Sequence, residues 1–188
     1  VYRQAILDAA MRVFGRTGFR DTKMAQIASE AGVATGTLYN YYSSKEDIFE
    51  SILENGEGQI RAAIQQAVAA QPPVSQLRAI VRVMLEHLEQ HGSIFIIYMQ
   101  LDANSLCLQA KGCRDEAFRR EMFSMIEQAI IDAGPLLRTD FSPQTLATAI
   151  GGLLSGAIMH WIDAGCPPGL HAQADTIMDL FLNGASQR

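Results

Sequence analysis

At 188 residues, 48% of them hydrophobic, the chain is long enough for one sizeable domain or for a small module joined to a larger one, and too apolar to be disordered. Its three cysteines, Cys107, Cys113 and Cys166, are odd in number and lack CxxC spacing, which argues against a disulfide framework or a zinc knuckle and fits a reducing compartment. The net charge of −5 is unevenly spread: residues 1–45 carry six basic and three acidic residues (+3), and the remainder nine basic and seventeen acidic (−8). A basic head on an acidic body suits a nucleic-acid-binding module joined to a separate domain, although an excess of three charges also arises by chance.

In chain order, nearly every segment has helical periodicity. Ile6, Ala9, Ala10, Val13 and Phe14 follow the i, i+3, i+4 rule, and Gly18 stands where a helix stops. Thr22 is placed to cap a short second helix with Met24, Ile27, Ala28 and Ala31 inward, ended by Gly32; a third short helix starts at Thr35. After Ser43-Ser44 a long helix runs to Pro72-Pro73, with Ile48, Phe49, Ile52, Leu53, Ile60 and Ile64 on its buried side. Ser75 is expected to cap a helix towards His91-Gly92, and Ser93 another through about Asn104. An irregular stretch is expected from Ser105 to Cys113. Phe118, Met122, Met125, Ile126, Ala129 and Ala133 mark the next helix, stopped at Gly134-Pro135. Ser142-Pro143 opens another that lasts to "GCPPG", and a last helix carries Leu170, Ala174, Ile177, Met178 and Phe181. No segment alternates with period two. The expectation is an all-α chain of about nine helices, with a three-helix head over residues 1–45 and a helical body over 46–188. No charged-then-apolar leader precedes the first helix, so no targeting signal is expected in the stretch read.

The segment "VATGTLYNYYSSKED", Val33 to Asp47, is rich in hydroxyls and poor in apolar bulk. Helix, glycine turn and helix at this length form the helix-turn-helix pattern. The 3.6-residue period sends Leu38 and Tyr42 inward with Val33, Ile27 and Phe14. Thr35, Gly36, Tyr39 and Asn40 fall outward, a face suited to phosphates and base edges in a major groove. Gly36 permits close backbone approach, unpaired amides at the helix start favour an anion, and Lys45 stands within reach of a flanking phosphate. Helical hairpins of this form also occur without DNA binding, their tyrosines covering a core.

The run "ILDAAMRVFGRTGF…DTKMAQIASEAGVATGTLYNYYSSKEDIFESIL", over about residues 4–53, resembles the TetR family of bacterial transcriptional repressors. The likeness is carried by the DAA-x-x-x-F-x-x-x-G-F opening, the T-x-x-x-I-A-x-x-A-G-V block and the G-T-L-Y-x-Y-[FY]-x-x-K-E-x-[IL] run. It implies a homodimer of all-helical subunits in the bacterial cytoplasm, each with an N-terminal DNA reader and a C-terminal domain for a small-molecule effector. By position, Thr35, Thr37, Tyr39 and Tyr41 match recognition-helix contacts, and Thr22 and Lys45 match phosphate contacts. Tyr42 departs from the more frequent Phe.

The body carries less specific signals. Between Phe141 and Ile162 no residue is charged, a length that fits a membrane span or a helix buried both by its own domain and by a partner. Gln144, Thr145, Thr148, Ser155 and His160 make a lipid-facing helix costly and no basic flank sets an orientation, so no membrane association is expected. The resemblance implies that the last two helices form the dimer interface, with Ile150, Leu153, Gly156, Ala157, Trp161, Ile177 and Phe181 as its candidates. Met84, His87, Phe95, Tyr98, Met99, Met122, Phe123, Ile126 and Met159 are candidates for an effector pocket, because methionine and aromatic side chains adapt to apolar ligands; the same residues at helical spacing also build plain cores. His87 and His91 have the i, i+4 spacing of metal ligands without a third, and Cys107 and Cys113 lack a basic cluster, so neither a metal, a cofactor nor a redox role is expected. Gly56 and Gly58 interrupt the long fourth helix, either because a neighbour packs closely or because a soft point lets ligand binding move the DNA reader. No Ser/His/Asp or Cys/His set and no phosphate loop supports an enzyme. The function read is a ligand-responsive repressor released from operator DNA by a largely apolar effector; the alternative is a small-molecule-binding or scaffold protein of the same fold without DNA function.

Overall fold

A computed structural model describes residues 2–92, Ile97 and 106–185, apart from the side chains of 106–116, 184 and 185. Among these residues there are eight α-helices and no strand: α1 Tyr2–Thr17, α2 Met24–Glu30, α3 Thr35–Tyr39, α4 Lys45–Val68, α5 Pro73–Gln90, α6 Leu106–Ala133, α7 Pro143–Asp163 and α8 Gln173–Ala185. The all-α expectation holds, with the count close to nine. The chain forms two compact units, one of residues 1–59 with 92–112 and one of 60–91 with 113–188, so α4 supplies residues to both.

In the first unit Ile6, Ala10, Val13 and Phe14 of α1 meet Ile27 and Ala28 of α2, Leu38 of α3, and Ile48, Phe49 and Ile52 of α4. Phe14, Phe19 and Phe49 pack ring against ring, with centroids 5.1 to 5.9 Å apart. The turn between α2 and α3 is a Schellman closure. Gly32, at φ +68°, donates to Ser29 O at 3.2 Å, and Val33 donates to Ala28 O at 3.0 Å. A β-carbon at Gly32 would be strained by that φ alone.

The second unit has its own core, which includes Leu77, Ile80, Val81 and Leu85 of α5, Met122, Ile126 and Ile130 of α6, Ile150 and Leu154 of α7, and Ile177, Met178 and Phe181 of α8. Arg61 clasps Glu121 with two hydrogen bonds, 2.6 and 2.7 Å, tying α4 to α6 within this unit.

Several helix boundaries differ from expectation. The stretch expected to be irregular is helical from Leu106 onward, continuous with the rest of α6. One glycine costs about 1 kcal/mol in a helix, which the added hydrogen bonds of a long helix offset. Helix α5 starts at Pro73 with Pro72 before it, not at Ser75, since proline at the first turn forfeits no hydrogen bond. Helix α3 starts at Thr35 as read, with Ala34 before it, whereas Lys23 rather than Thr22 precedes α2. The helix expected from Ser93 to Asn104 lies outside the described residues, Ile97 excepted. Ser142 caps α7 as read, its Oγ accepting from Thr145 N at 3.1 Å.

Candidate nucleic-acid interface

Helix α3 is short, five residues, and its two sides differ sharply. Leu38 is fully buried and Tyr42 nearly so, whereas Tyr39 is 53% exposed, with Thr35, Gly36 and Asn40 exposed beside it. Thr37 and Tyr41 are half-buried. The outward side therefore presents two hydroxyls, an amide and bare backbone, as the period of the sequence requires. Among the described residues, no neighbouring group lies within 4 Å of where a β-carbon on Gly36 would stand, so the backbone there is open.

The first turn of α1 adds groups that the spacing of α3 alone does not reveal. The Tyr2 ring lies 6.4 Å from that of Tyr41, and the Arg3 guanidinium 5.9 Å from the Tyr42 ring. A separation of 39 positions leaves no local signal for either pair. Elsewhere in the unit, Arg12 and Arg16 both bind Glu30, Arg12 at 2.8 Å. Those guanidiniums, Arg12 first, hold the Glu30 carboxyl below its ordinary value. At least part of the head's positive charge is thus paired on its own surface. A cavity of about 460 Å³ between α1 and α2 is bordered by Val13, Arg16, Thr17, Ala25, Gln26, Ser29 and Glu30, none of them expected as an effector contact.

The two residues expected on phosphates are engaged within the fold. Thr22 is 3% exposed; its hydroxyl donates to Gly18 O at 2.7 Å and pairs with the Thr17 hydroxyl at 2.7 Å. A buried hydroxyl with both partners present has no surface left for DNA. The Lys45 ammonium donates to the carbonyls of Phe19, Arg20 and Thr22. At the start of α4, Ser44 Oγ accepts from Asp47 N at 3.1 Å and Asp47 accepts from Ser43 N at 3.0 Å, a reciprocal cap.

Of the residues expected at an effector pocket, Met122 and Ile126 are buried in the second core, and Met84 and Phe123 pack against it. His87 is half-buried and lies ring to ring with His91, centroids 4.5 Å apart. Burial, aided by His91, pushes the His87 pKa down to about 4, so its imidazole is neutral at pH 7. Met159 is 49% exposed and is not part of that core, while Phe95, Tyr98 and Met99 lie outside the described residues. Among the described residues no three potential ligands gather for a metal.

Four of the seven residues expected at the dimer interface are turned the other way. Ile150, Trp161, Ile177 and Phe181 are each at most 5% exposed within the single subunit. Trp161 further donates its indole N–H to Pro167 O at 2.7 Å. Periodicity finds an apolar face but does not say which of two cores claims it. Leu153 and Ala157 are half-buried, and Gly156 is exposed with Gly152, Ser155 and Met159 on α7; Leu180 on α8 is 60% exposed. Helix α7 has a mean hydropathy of 1.4 over a window of which 28% is buried. By length and composition alone it could cross a membrane.

A short helix with an outward polar face, set by a glycine turn against a second helix, has the geometry of a helix-turn-helix. Residues 6–52 match the family described as bacterial regulatory proteins, tetR family. The transcriptional regulator AcrR of Shigella flexneri is 30% identical over 182 residues, covering 86% of this chain and 79% of that protein. The fatty acid metabolism regulator protein of Bacillus subtilis is 28% identical over 110 residues, 56% of each chain. In fold, the chain is similar to the regulator FadR of Bacillus subtilis solved with stearoyl-CoA, at a TM-score of 0.78 and 21% identity over 96% of this chain and 98% of that one. The chain belongs to the TetR family of helix-turn-helix transcriptional regulators.

Proposed function

We propose that the protein is a homodimeric repressor that leaves its operator when a bulky, largely apolar effector binds residues 46–188, residues 1–45 being the DNA reader. One observation carries the reading: α3 and the turn after it bury Leu38 and Tyr42 while exposing Thr35, Gly36 and Tyr39. Those three, with Thr37 and Tyr41, face the major groove. A single five-residue helix reads only a few base pairs, so two copies about one helical turn of DNA apart are required. The pairing surface is the stripe Gly152, Ser155, Gly156 and Met159 with Leu180, an apolar and close-approach surface that the subunit itself leaves uncovered. A partner there, rather than lipid, accounts for the apolar length of α7, because Ser155 and His160 are exposed on the same helix.

Effector binding favours a conformer whose two α3 helices no longer match successive grooves, so DNA affinity falls by the coupling free energy. The ligand class is supported by the methionine-rich second core and by the acyl-CoA held by the fold relative, and His87 supplies a neutral polar group for such a ligand. The protein acts by binding alone, in the bacterial cytoplasm where its DNA is. Fluorescence anisotropy with DNA from upstream of its own gene tests the reading. Expected is submicromolar binding that weakens with salt and is reversed by a long-chain acyl thioester or another apolar effector. Equal affinity for that DNA and for random duplex would overturn it.

A further inference from the structure

Lys45 is the first residue of α4, where the sequence pattern puts a phosphate contact. Its Nζ donates to Arg20 O at 2.7 Å, Phe19 O at 2.8 Å and Thr22 O at 3.1 Å. An ammonium has three protons, and these three carbonyls use all of them. The charge also lies 4.9 Å from the centre of the Phe19 ring, which is itself wedged against Phe14 and Phe49. All three carbonyls belong to the loop that leaves α1 and enters α2, where no helical ladder serves them. The Thr22 hydroxyl closes the same knot from the other side, on Gly18 and Thr17.

Resting on the DNA-binding reading above, we infer that Lys45 is a positioning residue rather than a phosphate contact. It pins the α1–α2 loop to the start of α4 and so fixes where α2, and through it α3, stands in the reader. To reach a phosphate, the ammonium would have to give up three hydrogen bonds to backbone carbonyls. Its three rotating protons serve three converging carbonyls, which a planar guanidinium cannot do from one point.

The test is operator affinity of Lys45→Met across a salt series, at a temperature where circular dichroism shows it fully folded. Positioning predicts a loss of about tenfold or more at every salt concentration, with the slope of log affinity against log salt unchanged. A slope reduced by about 2 per dimer would identify a phosphate contact in each subunit and overturn the inference. An unchanged affinity would overturn it too, by making Lys45 merely structural. Lys45→Arg keeps the charge and is expected to lose affinity as well; wild-type binding by this variant would contradict the claim. Should neither variant fold, amine acetylation of the wild-type protein without DNA decides. Lys45 is then expected to resist under conditions that modify the exposed Lys23, and a Lys45 that reacts like Lys23 and is shielded only by DNA would refute positioning. Failure of the wild-type protein to bind any operator would instead refute the functional reading itself, and shows before any substitution is made.

Discussion

In each unit a loop is tied down by a single charged side chain from a long helix, and these two ties have opposite signs. In the first, Lys45 of α4 gives its protons to the carbonyls of residues 19, 20 and 22. In the second, Glu89 of α5 receives the N–H of Gly169 at 2.6 Å, the N–H of His171 at 3.1 Å and the His171 Nδ1 at 2.7 Å. Loops have no ladder of their own, so their orphaned backbone groups must find partners; carbonyls recruit a cation and N–H groups a carboxylate. The backbone at Gly169, at φ +106°, turns both N–H donors towards one carboxylate in a way few other residues permit. The loop held by Lys45 lies inside the DNA reader, between α1 and α2, whereas the one held by Glu89 joins α7 to α8. Disturbing the first should therefore cost DNA affinity, and disturbing the second should cost stability.

The largest effect should come from the core that both sides of α3 depend on. Leu38→Ala removes a fully buried side chain and is expected to cost about 2–5 kcal/mol in chemical denaturation, with operator binding lost wherever the head unfolds. Next, Glu89→Gln should cost about 2 kcal/mol at pH 7, because a neutral amide replaces a carboxylate that accepts three hydrogen bonds. The Gly169 N–H above all, then the His171 side chain and N–H, lower the Glu89 pKa from 4.5 to about 2. A lowered carboxylate pKa stabilises the fold fully above 4.5 and loses that contribution as pH falls towards 2, so the gap between wild type and variant should close over that window. DNA affinity of folded Glu89→Gln should equal wild type, unlike that of Lys45→Met. If both variants weaken DNA binding alike, the contrast between the two ties is wrong.

His87 sharpens the second unit further. Its pKa of about 4 lies below the usual 6.5, so the unfolded chain takes up a proton before the folded one does. Stability is complete above pH 6.5 and falls as pH drops from there to about 4; His87→Gln should flatten that part of a melting-temperature profile. The smallest effect concerns α4. Among the described residues, no neighbouring group lies within 4 Å of where a β-carbon on Gly58 would stand, so none of them packs closely enough to require this glycine. Gly58→Ala should raise stability by about 1 kcal/mol and, if the glycine softens the helix, shift the effector dose needed to release DNA. An unchanged release curve would leave Gly58 without a role in coupling.

The elements most legible in the sequence are those with a local cause. Gly18 and Gly32 stop helices, Ser142-Pro143 starts one, and the period through Leu38 and Tyr42 fixes which side of α3 is inward. All of these depend on neighbours within a few residues. The run around Gly112 misleads because one glycine is weighed against a helix whose length outvotes it. Ile150, Trp161, Ile177 and Phe181 are recognisable as buried, but whether by their own subunit or by a partner is a tertiary matter. The role of Lys45 is the least legible. Its acceptors are backbone carbonyls 23 to 26 positions away, and a carbonyl leaves no trace in residue type.

The account stands or falls on the exposed side of α3, and Tyr39 is its most prominent group. Operator affinity of Tyr39→Ala against wild type, with melting temperature followed in parallel, tests it most directly. The expected result is a loss of about tenfold or more with the melting temperature unchanged, since an exposed ring contributes to the contact and little to the core. Undiminished affinity in a folded Tyr39→Ala protein would contradict the account.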